Sequence, residues 1–327
     1  MFLTSNLRRT TAYKPALAWF AAFGTVWVFV LVILGAFTTS IGAGMVFADW
    51  PLSNGSLNPA GWMDDLAMFA EHSHRLSAGV MSTVTIVLAL WIWRTEERGW
   101  LRKLAIYAVV LVLIQALVGG LRVLLDHRHV AMVDTSVGRL FAMLHACLAQ
   151  LFVCNLIAIA VSCSSGWIKG GVTLDDSVRR AGVICCALLF VQLGIAAVMR
   201  HSFAGLAIPT FPYSTPNGGL LPEAWNFRVG IHFAHRAMAA VLAIALIWFS
   251  YKVRLSDGAS IGMRIGASLL VGLLAMQIVL GAQIIWTQRS AATTTGHVAI
   301  GALTLAVTFW LTWLASRTKV EGRFAHD

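Results

Sequence analysis

Two short clusters of ionisable side chains stand at the mouths of long apolar runs. They are Glu71-His72-Ser73-His74-Arg75 and, 161 positions later, His232-Phe233-Ala234-His235-Arg236. In each, the last His is followed by Arg and preceded three residues earlier by another ionisable group. Residues three apart share a helix face, so Glu71 projects with His74 and His232 with His235. His72 points elsewhere, toward solvent or lipid headgroups. His145 and His297 hold matched places a few residues into two further apolar runs. Ionisable groups in membrane helices are costly and usually functional. Four imidazoles, paired within each half of the chain and set at one depth, favour metal ligation over isolated hydrogen-bonded histidines.

Closed zinc sites use four protein ligands, commonly with Cys, whereas each half here offers two imidazoles on different helices across an apolar wall. That arrangement suits haem iron, whose porphyrin fills the other positions. Gly119-Gly120 and Gly281-Ala282 either let a flat macrocycle approach or serve ordinary small-residue helix packing. Arg75 and Arg236 suit bidentate pairing with haem propionates near an outer rim, against snorkelling to lipid phosphate. Glu71 in one cluster corresponds to His232 in the other, and this broken symmetry points to chemistry in one half only. The other histidines carry no assigned role: His127 and His129 in the loop Asp126–Asp134, His201 opening the fifth connection, and His326 in the tail.

The elements that must position these groups are membrane helices. Of 327 residues, 58% are apolar and 12% charged, a balance typical of polytopic membrane proteins rather than soluble domains. Eight segments reach the roughly 20 residues needed to span a bilayer: Ala16–Thr38, Leu66–Trp93, Leu104–Leu124, Gly138–Val161, Val178–Met199, Val229–Tyr251, Ile265–Trp286 and Thr293–Ala315. The second begins above the membrane, near Asp64-Asp65. The net charge of +10 sits in short loops, which reads as topology and anionic-lipid contact rather than nucleic-acid binding. Sixteen Lys and Arg fall on one side, including Arg8, Arg94, Lys169, Lys252 and Arg323, against six on the other (Arg122, Arg128, Arg139, Arg200, Arg228, Arg289). The positive-inside rule then places both termini in the cytoplasm and both His clusters near the outer face.

The first segment resembles a signal peptide in isolation, but it has a counterpart. Ala43-Gly44 matches Ala204-Gly205, Trp50-Pro51 matches Phe211-Pro212, and Gln115 and Gly119 recur as Gln277 and Gly281. The expected fold is an all-α polytopic membrane protein. Its eight transmembrane helices form two parallel tandem-repeat four-helix bundles, residues 1–165 and 166–327. The outer connections Gly42–Asp65 and His201–Phe227 are long enough to have a function or act as lids, with Trp50 and Phe211 equally suited to interfacial anchoring. Cys147, Cys154, Cys163, Cys185 and Cys186 form no CxxC and read as buried packing.

In these motifs the chain resembles the haem A synthases, membrane enzymes that convert haem O to haem A for cytochrome oxidases. The resembling residues are Asp49 to Gly55, Glu71-x-x-His74-Arg75, His145, His235-Arg236 and His297, within about residues 17 to 315. The resemblance implies a resident b-type haem on His235 and His297 in the C-terminal half. It implies that His74 and His145 ligate the haem O substrate in the N-terminal half, with Glu71 as the catalytic carboxylate beside the methyl group. That methyl would be oxidised to a formyl with oxygen from water. Many family members carry a Cys pair in the first outer loop; Phe47 and Ser53 stand there instead, which excludes a thiol role for that loop. Expected partners are haem O, the bilayer, an electron acceptor, the haem O synthase and a second copy of the chain, in a bacterial plasma (inner) membrane. The alternatives are a di-haem b-type electron-transfer cytochrome, which leaves Glu71 unexplained, and a parallel-repeat transporter, which would need polar residues at mid-membrane.

Overall fold

A computed structural model describes residues 9–130, 135–170 and 174–323, without the Arg323 side chain. Arg8, residues 131–134 of the Asp126–Asp134 loop, the Arg323 side chain and His326 lie outside the described residues. In chain order the elements are α1 (Pro15–Ser40), α2 (Leu66–Thr95), α3 (Gly99–Leu124), β1 (His129–Val130), β2 (Thr135–Ser136) and α4 (Val137–Cys163). There follow α5 (Ser165–Lys169), α6 (Asp176–His201), α7 (Phe227–Leu255), α8 (Ile261–Trp286), α9 (Ala291–Ala315) and α10 (Arg317–Arg323). Eight of them are long and apolar enough to cross a membrane, one for each expected segment. At 1.5 Å per residue the shortest of the eight, 25 residues, still covers the roughly 30 Å hydrocarbon core.

The helix starts follow from capping chemistry. Side chains of Asp65, Ser136, Asn226 and Ser260 accept the N–H groups of Met68, Arg139, Val229 and Met263, donors that a helix start otherwise leaves unpaired. α3 and α8 begin about a turn earlier than the apolar runs suggest, because charge ends a hydrocarbon span without ending a helix. Arg102 thus lies within α3. Arg264, within α8, turns back to the carbonyls of Ala259, Arg254 and Ser256.

α1 to α4 pack in a ring, with α1 closing against α4; α6 to α9 do the same, with α6 against α9. The two rings meet where α1 and α4 touch α9 and where α4 touches α6. Each ring has its own core: Met81, Leu88, Leu101 and Leu156 in the first, Leu242, Leu246, Phe249 and Leu270 in the second. Trp310 and Leu314 pack against both. Outward faces carry apolar side chains such as Trp19 and Ile244, as lipid contact demands. Hydroxyls stitch helices together, as Thr38 Oγ1 does to the Ala70 carbonyl (3.0 Å) and Ser250 Oγ to that of Ala267 (2.6 Å). The five cysteines are free; Cys154, Cys163 and Cys185 are buried and the other two half-buried.

At the end opposite the long loops, Trp100, Trp167, Trp313 and Phe309 form an aromatic cluster. Beside it the buried Glu96 carboxylate accepts from Arg98 at 3.0 Å. Burial pushes the Glu96 carboxyl up, but hydrogen bonds and charge from Arg98, with Lys14, outweigh it and hold the group below the usual carboxylate range.

Candidate functional site

The loop between α1 and α2 folds down over the first turns of α2, and the Glu71 cluster is the reason. Glu71 Oε2 accepts the backbone N–H groups of Val46 (2.7 Å) and Phe47 (3.1 Å), while Oε1 accepts from Arg75 Nη2 at 2.6 Å. Arg75, one turn on, donates to the carbonyls of Phe47, Asp49 and Leu52 and stacks over the Phe47 ring. Asp49 accepts from Asn54 and Gly55 N–H, closing a turn whose φ of +70° at Gly55 suits glycine. The Gly55 hydrogen bond leads in holding the Asp49 carboxyl below the usual range.

His72 does not face solvent or headgroups. It is 3% exposed, its Nδ1 lies 3.0 Å from Ser53 Oγ, and its ring meets Trp62 and Phe47 edge-on. The loop folded above it supplies this burial, which helix periodicity alone does not reveal. Phe47 and Ser53 therefore hold the loop through His72 by packing and hydrogen bonding.

A cavity of about 820 Å³ lies below this loop, lined by α1 to α4 and by Leu193, Arg200, His201 and Val298 from the other ring. Its size is near the top of the ~300–1,000 Å³ usual for ligand sites. His74 and His145 both line it, with Glu71 and Arg122 toward its loop end. The glycines seat these rings and do not leave a flat wall. A Cβ added at Gly35 would lie 2.8 Å from His74 Cε1, and one at Gly119 would lie 3.2 Å from His145 Cε1. Gly120 makes way for the Trp50 ring, and Gly281 for His297. Gly119, Gly120 and Gly281 thus lie against side chains, as small-residue packing expects. Gln115 Nε2 donates to the His145 carbonyl at 3.1 Å.

In the second ring His235 and His297 stand with ring centroids 6.3 Å apart at 61°. Gln192 Nε2 lies 3.0 Å from both His235 Nδ1 and the His235 carbonyl, and Gln277 Nε2 lies 3.3 Å from His297 Nε2. His232 Nδ1 accepts the Ile208 N–H at 3.2 Å, taking the local part that Glu71 takes in the first ring. Arg236 donates to the carbonyls of Ile208, Thr210 and Tyr213. Both arginines expected at propionates are thus engaged with loop carbonyls.

Among the described residues no group of three or more His, Cys, Asp or Glu could hold a metal ion. The donor set is instead paired imidazoles, and among the described residues the buried Nδ1 atoms of His74, His145 and His297 have no hydrogen-bond partner. Such a donor set would suit a group that supplies most of its own metal ligands and takes two imidazoles from the protein.

Comparison with known proteins gives the family. The COX15-CtaA family model, described as Cytochrome oxidase assembly protein, matches residues 18–309. The chain belongs to that family. A protein named Heme A synthase from Geobacillus kaustophilus (strain HTA426) is 26% identical over 94% of this chain and 93% of its own. Heme A synthase from Geobacillus thermodenitrificans is 28% identical over 96% and 98%, and that from Shouchella clausii (strain KSM-K16) 25% over 90% and 95%. With eight apolar helices, this member of the family is a multi-pass membrane protein.

Several residues around the paired histidines carry no role in the sequence alone. His201, assigned no role, ends α6 and lines the cavity, as do Arg122 and Arg200. A warning was present for Gln115, Gln192 and Gln277, since an amide in an apolar span needs a partner. Nothing local pointed to Gly35, whose importance depends on a ring from another helix.

Proposed function

We propose that the chain is a haem A synthase that oxidises the C8 methyl of haem O to a formyl group, with water as the oxygen source, in cytochrome oxidase biogenesis. The observation that carries this reading is the cavity lined by His74, His145 and Glu71, in a chain similar along nearly its whole length to proteins named Heme A synthase. Converting a methyl and one water to a formyl releases four electrons and four protons, so an electron acceptor is required. A carboxylate has about four lone-pair sites, and three of the Glu71 sites are taken by Val46, Phe47 and Arg75. The fourth is available to a water in the cavity, from which Glu71 takes a proton or whose developing charge it stabilises.

In this reading residues 1–165 form the substrate half, with His74 and His145 as ligands of haem O. Residues 166–327 form the half in which His235 and His297 hold a resident b-type haem. The separation of their rings would leave room for such a group between them. When bound, that haem supplies one-electron redox chemistry. Gln192 and Gln277 orient the two imidazoles, as outer partners of metal-binding histidines do. The excess of basic residues in one set of loops supports cytoplasmic termini and sites near the outer face. A reporter active only in the cytoplasm then works at the C-terminus and fails near Asn54. Replacing His235 or His297 with Ala should abolish the low-spin b spectrum of the purified protein; a full signal in both variants would overturn the assignment.

A further inference from the structure

The corner of the cavity between α3 and α6 carries two guanidinium groups, and the carboxylates nearest to them are already engaged elsewhere. Arg122, in the last turn of α3, lines the cavity with its guanidinium against Gly44. Among the described residues its guanidinium has no side-chain hydrogen bond or ion pair, although its backbone lies within the helix. The carboxylates whose charge reaches it are Glu71 and Asp126. Glu71 is held by Arg75 and two backbone N–H groups, and Asp126 accepts from Ser136 Oγ at 2.5 Å.

Arg200, in the last turn of α6, crosses from the second ring to the first. Its Nη2 donates to the Ala36 carbonyl (3.1 Å) and to Ser40 Oγ (3.0 Å), both on α1. The charges acting on it come from Arg289 and Arg122, both positive. His201 follows directly and also lines the cavity. Holding like charges together at an apolar cavity is unfavourable unless an anion joins them. The repeat positions matching Arg122 and Arg200 are Ile284 and Thr39, so this corner belongs to one cavity alone. Arg75, in contrast, already has Glu71 and three carbonyls.

We propose that Arg122 and Arg200 form the carboxylate-binding corner of the cavity and hold the acidic side chains of the macrocycle, so that substrate lies across the seam between the two halves. This rests on the reading of the cavity as the haem O site. Guanidinium forks match carboxylates bidentately and retain charge in an apolar setting.

The test uses the full chain in detergent, carrying its resident haem. It is titrated with ferric protoporphyrin IX and, separately, with the dimethyl ester of that porphyrin, following the Soret difference spectrum. Arg122→Gln and Arg200→Gln should each weaken binding of the free acid by about 10-fold or more and leave the ester unaffected, with the resident low-spin spectrum unchanged as a check on folding. Equal loss for acid and ester, or no loss in either variant, would overturn the proposal. The His74→Ala variant separates the two levels. If it still binds both porphyrins at full strength, the reading of the cavity itself fails; if it loses both while the Arg variants lose neither, only the carboxylate corner fails.

Discussion

Glu71 and Arg75, one helical turn apart, form a 2.6 Å ion pair roofed by the loop that both of them hold. The pair is nearly sealed from solvent, with Glu71 only 4% exposed. A catalytic and an architectural role for Glu71 therefore occupy the same atoms, and substitutions can separate them. Glu71→Gln keeps an acceptor for the Val46 and Phe47 N–H groups but loses the charge. Haem A formation should fall by about 10²–10⁴-fold, the usual worth of general-base help, with the loop still folded. Glu71→Ala should in addition leave the Arg75 charge without its carboxylate, with only loop carbonyls as partners, and destabilise the protein by about 3–5 kcal/mol. Limited proteolysis of the segment 42–65 together with haem analysis checks both; near-normal haem A in Glu71→Gln would leave Glu71 as a loop anchor only.

Gly35→Ala isolates the seating of His74. The added Cβ would fall 2.8 Å from the ring, closer than nonbonded carbons approach, so the imidazole must move. Binding of added haem in the N-terminal cavity should weaken strongly, while the low-spin spectrum assigned to His235 and His297 stays intact. At Gly281, where the corresponding approach to His297 is 3.3 Å, Ala should cost less. Equal haem binding in wild type and Gly35→Ala would show that the ring has room to spare.

Glu96 gives a pH dependence with a definite sign. Its carboxyl is held below the usual range in the folded protein, so its ionised form adds stability that is fully present above the unfolded value of about 4.3. That contribution is lost as pH falls from there through the depressed folded value. Thermal unfolding in detergent between about pH 6 and 3.5 should show an acid decline that is shallower in Glu96→Gln. An identical decline in the variant would mean that other carboxylates set it.

Most of the architecture was legible because a bilayer imposes simple arithmetic: each run long enough to span became a helix, and Ser, Asp or Asn before several of them became the cap. The matched histidines were legible from spacing. What was not legible arises where distant segments meet. His72 reads as exposed on its helix and is buried only because the loop bearing Ser53 and Trp62 returns over it. Arg75 and Arg236 read as partners of haem propionates or lipid phosphate, and their hydrogen bonds to loop carbonyls appear only once the loops fold over α2 and α7. Arg200 reads only as one of the six basic residues on the minority side, and the meeting of the two rings brings its side chain to Ser40 on α1 and to the cavity. Such contacts depend on tertiary approach, which period and composition do not encode.

The claim that the two histidine pairs serve different haems is tested most directly by reverse-phase chromatography of haems extracted from the purified protein, co-expressed with a source of haem O. Wild type should yield haem B together with haem A. His74→Ala and His145→Ala should retain haem B and yield no haem A, whereas His235→Ala and His297→Ala should lose haem B. Haem A at wild-type levels from either His74→Ala or His145→Ala would contradict the account.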